Sequence, residues 1–212
     1  PSLFLKVAFE NQGYSNLVFI PNTIQIENYR LTQKSFKTIK LLWVRSFSKI
    51  YNPSLAVKVL KALIDSGYTA ELCMVGPDSD GTLKVVKRLA KQLNVPVTFT
   101  GKLPKKEWIA LAENYNIFIN TTNFDNMPVS VIEAKALGLA IVSTNVGGMP
   151  YLIEDGVDGL LVEKNNTKDM VNAIIKTVSD IPSTEKRIKN ARTKVEAFDW
   201  NHIKLKWHEI LK

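Results

Sequence analysis

The sequence is poor in the residues that build disulfide frameworks and metal sites. Its 212 residues include one cysteine and two histidines. Cys73 has no intrachain partner, and its position in the apolar run Ala70–Val75 favours a buried structural thiol over a nucleophile. His202 and His208 fall on different faces of a predicted helix, which is a poor arrangement for a zinc pair. We therefore expect no metal and no other cofactor.

Long apolar runs, internal repeats and low-complexity tracts are also missing from the sequence. No segment approaches the roughly 18–20 apolar residues that span a bilayer, which argues against a transmembrane helix. With 45% hydrophobic and 23% charged residues, the composition is ordinary for a soluble globular protein. The sequence starts at Pro1 without an initiator methionine or a signal-type leader. We expect a portion of a longer, cytoplasmic protein.

The charge of the sequence is unbalanced toward the basic side. Lys and Arg outnumber Asp and Glu by 28 to 20, which gives a net charge of +8. This excess favours phosphorylated sugars, an acidic membrane surface or nucleic acid as partners, and a solvated basic surface is equally compatible with it. The lysines are scattered along predicted helices without dense arginine tracts or interleaved aromatics, so we expect no nucleic-acid partner.

Short apolar runs alternate with longer amphipathic stretches through most of the sequence. Nearly continuous apolar runs are typical of strands covered by helices on both faces. The alternation predicts an α/β fold, a Rossmann-like doubly wound parallel sheet of about six strands. The predicted strands are Ile39–Val44, Glu71–Val75, Val97–Thr100, Ile117–Asn120, Ala140–Thr144 and Gly159–Val162. The predicted helices between them are Pro53–Ser66, Thr82–Leu93, Lys105–Asn114, Pro128–Leu137 and Met149–Glu154.

The two ends of the sequence have different patterns. Leu3–Asn11 is predicted as a helix and Leu17–Ile20 as a strand, whereas three helices are predicted after Val162. The last helix carries an apolar stripe that needs a partner, either within this domain or on an absent neighbour. Contact with a membrane surface is the less favoured interpretation. The three helices are Thr167–Val178, Thr184–Phe198 and Asp199–Leu211, and the stripe consists of Trp200, Ile203, Trp207, Ile210 and Leu211.

The segment from Asn123 to Gly148 is the most informative part of the sequence. A predicted strand leads into a loop, and Pro128 opens a helix at a position that proline favours. Unpaired amides at the start of a helix, together with the helix dipole, make a ready anion site. Here these are the amides of Val129, Ser130 and Val131.

Two carboxylates accompany this helix start. Glu133 lies close enough to accept hydrogen bonds from sugar hydroxyls, and Asp125 lies eight residues before it in the loop. Ordinary helix capping is the structural alternative. Arg45 and Lys49 follow another predicted strand, at the edge where open α/β sheets bind ligands. The Arg45 guanidinium can donate two parallel hydrogen bonds to phosphate oxygens, and Lys49 can add a positive charge. The alternative interpretation of Arg45 is a surface arginine in a salt bridge.

The sequence NFDNMPVSVIEAKALGLAIVSTNVGG at positions 123–148 resembles the signature of retaining glycosyltransferases of the GT-B fold, family four. That family usually shows a Glu, seven residues, then Glu-Ala, followed by glycine turns. Here Asp125 replaces the first Glu, whereas Glu133-Ala134 and Gly147-Gly148 match. The resemblance extends from about Ser15 onward. Further matching segments are Ile20-Pro21-Asn22, Trp43–Lys49, Val75-Gly76-Pro77, Phe99-Thr100-Gly101 and Ile153–Gly159.

The resemblance implies a transferase that moves a sugar from a nucleotide-diphosphate donor to an acceptor with retention of configuration. Residues 1–22 would be a remnant of an N-terminal domain and hinge, 23–198 the donor-binding domain, and 199–212 a helix packing back toward the N-terminal domain. The acceptor, a sugar or a lipid-linked molecule of the cell envelope, would contact the absent domain. By resemblance the catalytic residues are Asp125 and Glu133, and the donor-binding residues are Arg45, Lys49, Gly76, Lys102, Pro128, Val129, Ser130, Val131 and Glu133.

Other functions stay open on the same pattern. A nucleotide-sugar epimerase shares the fold, and a fold does not by itself fix the chemistry. A phosphorylase would need a pyridoxal-phosphate lysine, for which the sequence offers no clear motif. A non-catalytic nucleotide-binding or scaffold domain is the third alternative, favoured by Asp125 in place of Glu. We expect a cytoplasmic location, with peripheral membrane contact as the variant, and no sugar transfer by this chain alone.

Overall fold

A six-stranded sheet forms the centre of the protein. The computed structural model describes residues 2–212, so Pro1 lies outside the described residues. All strand pairs are parallel, and their order is β3-β2-β1-β4-β5-β6. The predicted α/β fold with a doubly wound parallel sheet is confirmed. The strands are β1 (Ile39–Val44), β2 (Ala70–Val75), β3 (Val97–Gly101), β4 (Ile117–Asn120), β5 (Ala140–Thr144) and β6 (Leu160–Val162).

Helices precede, connect and follow these strands. In the chain order they are α1 (Leu3–Glu10), α2 (Pro53–Asp65), α3 (Thr82–Gln92), α4 (Lys105–Ala112), α5 (Val129–Ala136), α6 (Met149–Leu152), α7 (Thr167–Ser179), α8 (Ile181–Glu196) and α9 (Trp200–Ile210). Two short 3₁₀ turns lie at Ile26–Asn28 and Lys49–Tyr51. The predicted helical extension after β6 is confirmed.

Both faces of the sheet are covered, which explains the continuous apolar runs. Leu41 and Trp43 of β1 face a core formed with α2, α3 and α7, whereas Leu42 faces a core formed with α4, α5 and α8. Side chains alternate between the two faces of a strand, so burial on both sides requires apolar residues at every position. The strand β1 therefore matches its predicted bounds.

One predicted strand is wrong. Residues 17–20 form no strand, and none of the described strand pairs includes them. Val18 is 68% exposed, and the edges of the sheet are occupied by β3 and β6. A β-branched run forms a strand only where another strand offers a backbone ladder.

The last helix is only partly packed. Ile203 is the one buried residue of α9, while Trp207 and Ile210 remain 43% and 46% exposed. The helix is fixed at its start, where the Asp199 side chain accepts the amide of Asn201. Within residues 2–212, none of the helices combines the length and the hydropathy that a membrane span requires.

Candidate functional site

The candidate site lies where the sheet order reverses. The strands β1 and β4 are neighbours in the middle of the sheet, and their connections leave in opposite directions. In doubly wound sheets a crevice opens at this point, outside the carboxyl ends of the strands. The segment Arg45–Ser48 follows β1 and the segment Thr121–Met127 follows β4.

Hydrogen bonds join the segment after β4 to the end of β1 and to the 3₁₀ turn Lys49–Tyr51. The Trp43 indole donates to the Thr121 hydroxyl at 3.0 Å, and that hydroxyl donates to the carbonyl of Tyr51 at 2.9 Å. The Asn123 amide donates to the carbonyl of Ile50 at 2.8 Å. Because the two side-chain bonds are buried or half-buried, they fix the position of the loop after β4 relative to the 3₁₀ turn.

The paired glycines hold the second loop in place. The Gly148 amide donates to the Asp125 carbonyl at 2.8 Å. A Cβ added to Gly148 would lie 1.6 Å from the Asn126 carbonyl oxygen, and one added to Gly147 would lie 2.3 Å from that of Asp125. Any side chain at either position would displace the loop. The glycine pair in the sequence is therefore explained by close backbone approach.

Arg45 and Asp125 meet across the crevice. Arg45 Nη2 lies 2.7 Å from Asp125 Oδ2, and the guanidinium stacks 4.3 Å from the Tyr51 ring centroid. Burial raises the pKa of the Asp125 carboxyl above its ordinary value, and Arg45 and the Asn126 amide oppose that increase. Desolvation thus outweighs the favourable charge. Arg45 keeps 29% of its side chain exposed.

Unfilled hydrogen-bonding capacity is concentrated here. Among residues 2–212, six buried side-chain polar atoms have no hydrogen-bond partner, and four of them belong to Arg45, Asn123, Asp125 and Asn126. The 2.7 Å contact of Asp125 Oδ2 is an ion pair without hydrogen-bond angles, so this oxygen still lacks an aligned donor. Buried polar groups are normally paired, and a cluster of exceptions calls for a ligand or a functional role.

A cavity of about 330 Å³ opens beside Arg45. Four of the predicted donor-binding residues line it, namely Arg45, Gly76, Lys102 and Ser130. Two aromatic residues of its wall, Tyr51 and Trp108, were not predicted, because they are remote from each other in sequence and belong to no motif. Gly76 belongs here because a Cβ on it would lie 1.8 Å from the Arg45 carbonyl oxygen.

The start of α5 differs in detail from the prediction. Pro128 is the capping residue rather than the first helical residue, and the helix begins at Val129. The Val131 amide was expected to be unpaired, and this is wrong because it donates to the Pro128 carbonyl at 3.2 Å. No described hydrogen bond uses the amides of Val129 and Ser130, and no side chain caps the helix.

Glu133 is a buried residue of α5. It is 4% exposed, one turn after Ser130 on α5, and is not among the residues that line the cavity. Its Oε1 accepts from the Tyr29 hydroxyl at 2.6 Å and lies 2.8 Å from Lys105 Nζ. Neither partner was predicted. Tyr29 is 104 positions away in sequence, and Lys105 belongs to a different helix, α4.

Lys49 is a predicted residue that does not face the cavity. Its side chain is exposed and does not line the cavity, although its amide donates to Asp80 Oδ2 at 3.0 Å. The role of Lys49 stays a prediction. Among the described residues, no three His, Cys, Asp or Glu side chains form a group that could hold a metal ion.

A second ion pair lies in the interior near the other end of α5. Lys135 is fully buried, and its Nζ donates to the Leu152 carbonyl at 2.7 Å and lies 3.1 Å from Asp158 Oδ1. Asp158 also accepts the Glu154 amide at 2.9 Å and has Lys194 Nζ 2.7 Å from its Oδ2. Burial lowers the pKa of Lys135 to about 8, an effect that Asp158 opposes.

Curated relatives of this chain are glycosyltransferases. It is 27% identical over 149 residues to the sulfoquinovosyl transferase SQD2 of Arabidopsis thaliana, covering 68% of this chain and 28% of that protein. It is 23% identical to the capsular polysaccharide biosynthesis glycosyltransferase CapM of Staphylococcus aureus, covering 89% and 52%. The chain thus spans about half or less of the length of these relatives.

Solved structures share the fold. Sucrose-phosphate synthase of Thermosynechococcus elongatus superimposes with a TM-score of 0.89 at 20% identity, covering 99% of this chain and 56% of that one. Anabaena HepE, solved in complex with UDP and glucose, superimposes with a TM-score of 0.88 at 20% identity, covering 99% and 61%. The family model described as "Glycosyl transferases group 1" matches residues 26–194. The chain therefore belongs to the glycosyl transferases group 1 family.

Proposed function

We propose that this chain is the donor-binding half of a retaining glycosyltransferase that binds a nucleotide-diphosphate sugar. One observation carries the proposal: Arg45 and Ser130, from the ends of two separate elements, line a single cavity at the switch point of the sheet. A cation and the start of a helix on one cavity form an arrangement that suits a pyrophosphate group.

The same arrangement suits the departure of the sugar. In the transfer, the bond between the anomeric carbon and the diphosphate oxygen breaks, and the diphosphate keeps the electron pair. Its growing negative charge would be met by the Arg45 guanidinium and by the amides of Val129 and Ser130 at the start of α5. Lys102, which also lines the cavity, adds a further positive charge.

The two carboxylates have different roles in this proposal. Asp125, beside Arg45 and the orphaned atoms of the loop, would contact the sugar or the phosphate next to it. Glu133, one turn after Ser130 on α5, would accept hydrogen bonds from hydroxyl groups of the donor. Together the two carboxylates would act in catalysis. The acceptor oxygen would bond to the anomeric carbon on the face that the diphosphate leaves, with the leaving phosphate taking its proton.

The acceptor is assigned to the part of the protein outside this chain. The chain spans 28% to 52% of the two curated relatives described above. CapM is named for capsular polysaccharide biosynthesis. A cell-envelope polysaccharide or glycolipid is the acceptor class that we propose, with the enzyme in the cytoplasm. Transfer would then require the second domain.

Calorimetric titration tests donor binding. UDP, GDP and ADP are titrated separately into the wild-type chain and into Arg45→Ala, and Arg88→Ala on the exposed face of α3 serves as a matched control. We expect one of the three nucleotides to bind the wild type and Arg88→Ala alike, and Arg45→Ala to bind it about tenfold or more weakly. Equal affinity in wild type and Arg45→Ala would favour a scaffold whose site is not used.

Product analysis separates the enzyme classes. We expect the chain alone to release no sugar to acceptors from UDP-glucose, GDP-mannose or ADP-glucose, and the longer protein to form a glycoside with the configuration of the donor. An epimerised nucleotide sugar as the product would favour the epimerase. Measurable turnover by the chain alone would contradict the division of labour between two domains.

A further inference from the structure

The carboxylate of Glu133 is held by a residue far from the motif. Tyr29 is 2% exposed, and its hydroxyl donates to Glu133 Oε1 at 2.6 Å. Burial and the hydrogen bond to Glu133 raise the pKa of the Tyr29 hydroxyl well above its ordinary value, so it remains a donor at neutral pH. The bond also occupies one oxygen of Glu133, and neither Tyr29 nor Lys105 uses Oε2.

Tyr29 is itself fixed by its main chain. Arg192 on α8 donates through Nη1 to the Tyr29 carbonyl at 2.8 Å and to the Ala136 carbonyl at 2.6 Å. Ala136 ends α5, the helix that carries Glu133 one turn earlier. Tyr29 is thus attached to α5 twice, through its carbonyl by way of Arg192 and through its hydroxyl to Glu133.

The segment before Tyr29 is anchored to the corner between α8 and α9. The Ile26 amide donates to Asp199 Oδ2 at 2.9 Å. Two backbone bonds of Ile24, one from its amide to the Phe198 carbonyl at 3.0 Å and one from the Trp200 amide at 2.9 Å, fix the same segment. The Tyr29 ring therefore has little freedom, and its hydroxyl holds a defined position.

We propose that Tyr29 is a positioning residue that orients the Glu133 carboxylate toward the hydroxyl groups of the donor. The inference rests on the proposed donor site. A glutamate side chain has three rotatable bonds, and a second group that holds one oxygen reduces the entropy lost when the other oxygen binds a ligand. Lys105, 60% exposed, cannot give the same restraint because its own side chain is free to move at the surface.

A comparison of two ligands tests the proposal. The first ligand is UDP-glucose, GDP-mannose or ADP-glucose, chosen to match the nucleotide that binds the wild type in calorimetry, and the second is inorganic pyrophosphate. The nucleotide sugar carries sugar hydroxyl groups, whereas pyrophosphate carries none, and both are titrated into wild type and Tyr29→Phe. We expect Tyr29→Phe to weaken binding of the nucleotide sugar about fivefold to tenfold, the effect of one lost hydrogen bond, and to leave binding of pyrophosphate unchanged. Tyr115→Phe, which removes another half-buried tyrosine hydroxyl beside Cys73, is the matched control and should affect neither ligand.

A double-mutant cycle separates positioning from a general structural role. In a Glu133→Gln background, the further change Tyr29→Phe should cost much less than in the wild type, because the carboxylate that it orients is gone. Arg192→Met is a second variant that loosens Tyr29 without touching its hydroxyl. It should show a smaller loss with the same dependence on ligand, and it keeps the test open if Tyr29→Phe does not fold.

The outcomes distinguish this inference from the proposed function. If the wild type binds neither ligand, the donor site and the role of Tyr29 both fall. If the wild type binds both ligands and Tyr29→Phe equals it, the donor site stands and the role of Tyr29 falls. A loss of affinity for both ligands, or an undiminished loss in the Glu133→Gln background, would make Tyr29 a structural residue only.

Discussion

The two ion pairs at Arg45–Asp125 and Lys135–Asp158 are built from the same chemistry for different ends. Lys135 has no exposed side-chain surface and has a carbonyl and a carboxylate as acceptors. Arg45 keeps 29% of its side chain exposed, lines a cavity and leaves its Nε without a partner. Asp158 Oδ2 also lacks an aligned hydrogen-bond donor, but Lys194 Nζ lies 2.7 Å from it, and Lys135 does not line the cavity. The interior pair is therefore surrounded by protein groups, whereas Arg45 of the site pair faces a cavity that a ligand can enter.

Removing the acid of the interior pair should have the largest effect on stability. Asp158→Ala leaves the buried Lys135 ammonium without its counter-ion, and such a change costs roughly 3–5 kcal/mol of unfolding free energy. Urea unfolding at pH 7 measures it. Lys40→Ala, which breaks the exposed pair with Glu71 at 3.3 Å, is the control and should cost less than about 1 kcal/mol. Equal costs would show that the interior pair is not special.

Removing the base of the site pair should have its main effect on ligand affinity. Arg45→Ala is expected to reduce the binding free energy of the nucleotide by about 1.5–3 kcal/mol, because hydrogen bonds to a charged group are lost. Its unfolding free energy should change less than that of Asp158→Ala, since Arg45 is partly solvated. Calorimetry and urea unfolding of both variants decide the matter. A variant that loses stability but keeps its affinity would reverse the comparison.

The glycine turn beneath the site pair should be the next most sensitive position. Gly148→Ala places a Cβ 1.6 Å from the Asn126 carbonyl oxygen, so the loop that carries Asp125 has to shift. We expect about 1–3 kcal/mol of lost stability, in the range for overpacking, together with weaker nucleotide binding. Gly156→Ala, where a Cβ would meet nothing within 4 Å, should leave binding unchanged. Thermal unfolding and calorimetry compare the two.

The smallest net effect should be a dependence of stability on pH, because buried groups titrate in opposite directions. The pKa of Lys135 is about 8 in the folded protein, and its ordinary value, which applies to the unfolded chain, is 10.5. Between these two pH values the unfolded chain binds more protons than the folded protein. The free energy of unfolding therefore rises with pH in this interval through Lys135. Tyr29 and Cys73, whose pKa values are raised by burial, act in the opposite direction.

A variant isolates the contribution of Lys135. Lys135→Met keeps the approximate length of the side chain and removes its titratable amine. The unfolding free energy of the wild type minus that of the variant should therefore rise from pH 8 to pH 10.5. Urea titrations at several pH values measure this difference. A difference that is flat or falls with pH would contradict the account of the interior pair.

The sequence predicted what local patterns determine. The strands β1, β4 and β5 have their predicted bounds because apolar runs at both faces leave few alternatives. Arg45 and Asp125 lie in the segments after β1 and β4, where the predicted strand ends put them, and their roles stay predictions. The predicted strand at residues 17–20 was wrong, because a strand forms only where another strand of the chain pairs with it.

Contacts between segments that are distant in sequence could not be predicted. Tyr29 and Glu133 are 104 positions apart, and Lys135 and Asp158 belong to elements whose packing only the fold defines. Lys135 was predicted only as part of an amphipathic helix, and its burial depends on α8 and on the loop after α6. A lone sequence contains no local signal for such pairs.

Diffraction from crystals soaked in the nucleoside diphosphate that binds in calorimetry tests the central claim most directly. We predict density for the pyrophosphate within hydrogen-bond distance of the Arg45 guanidinium and of the Val129 and Ser130 amides. Density for the nucleotide elsewhere on the molecule, with the Arg45–Asp125 pair undisturbed, would contradict the account.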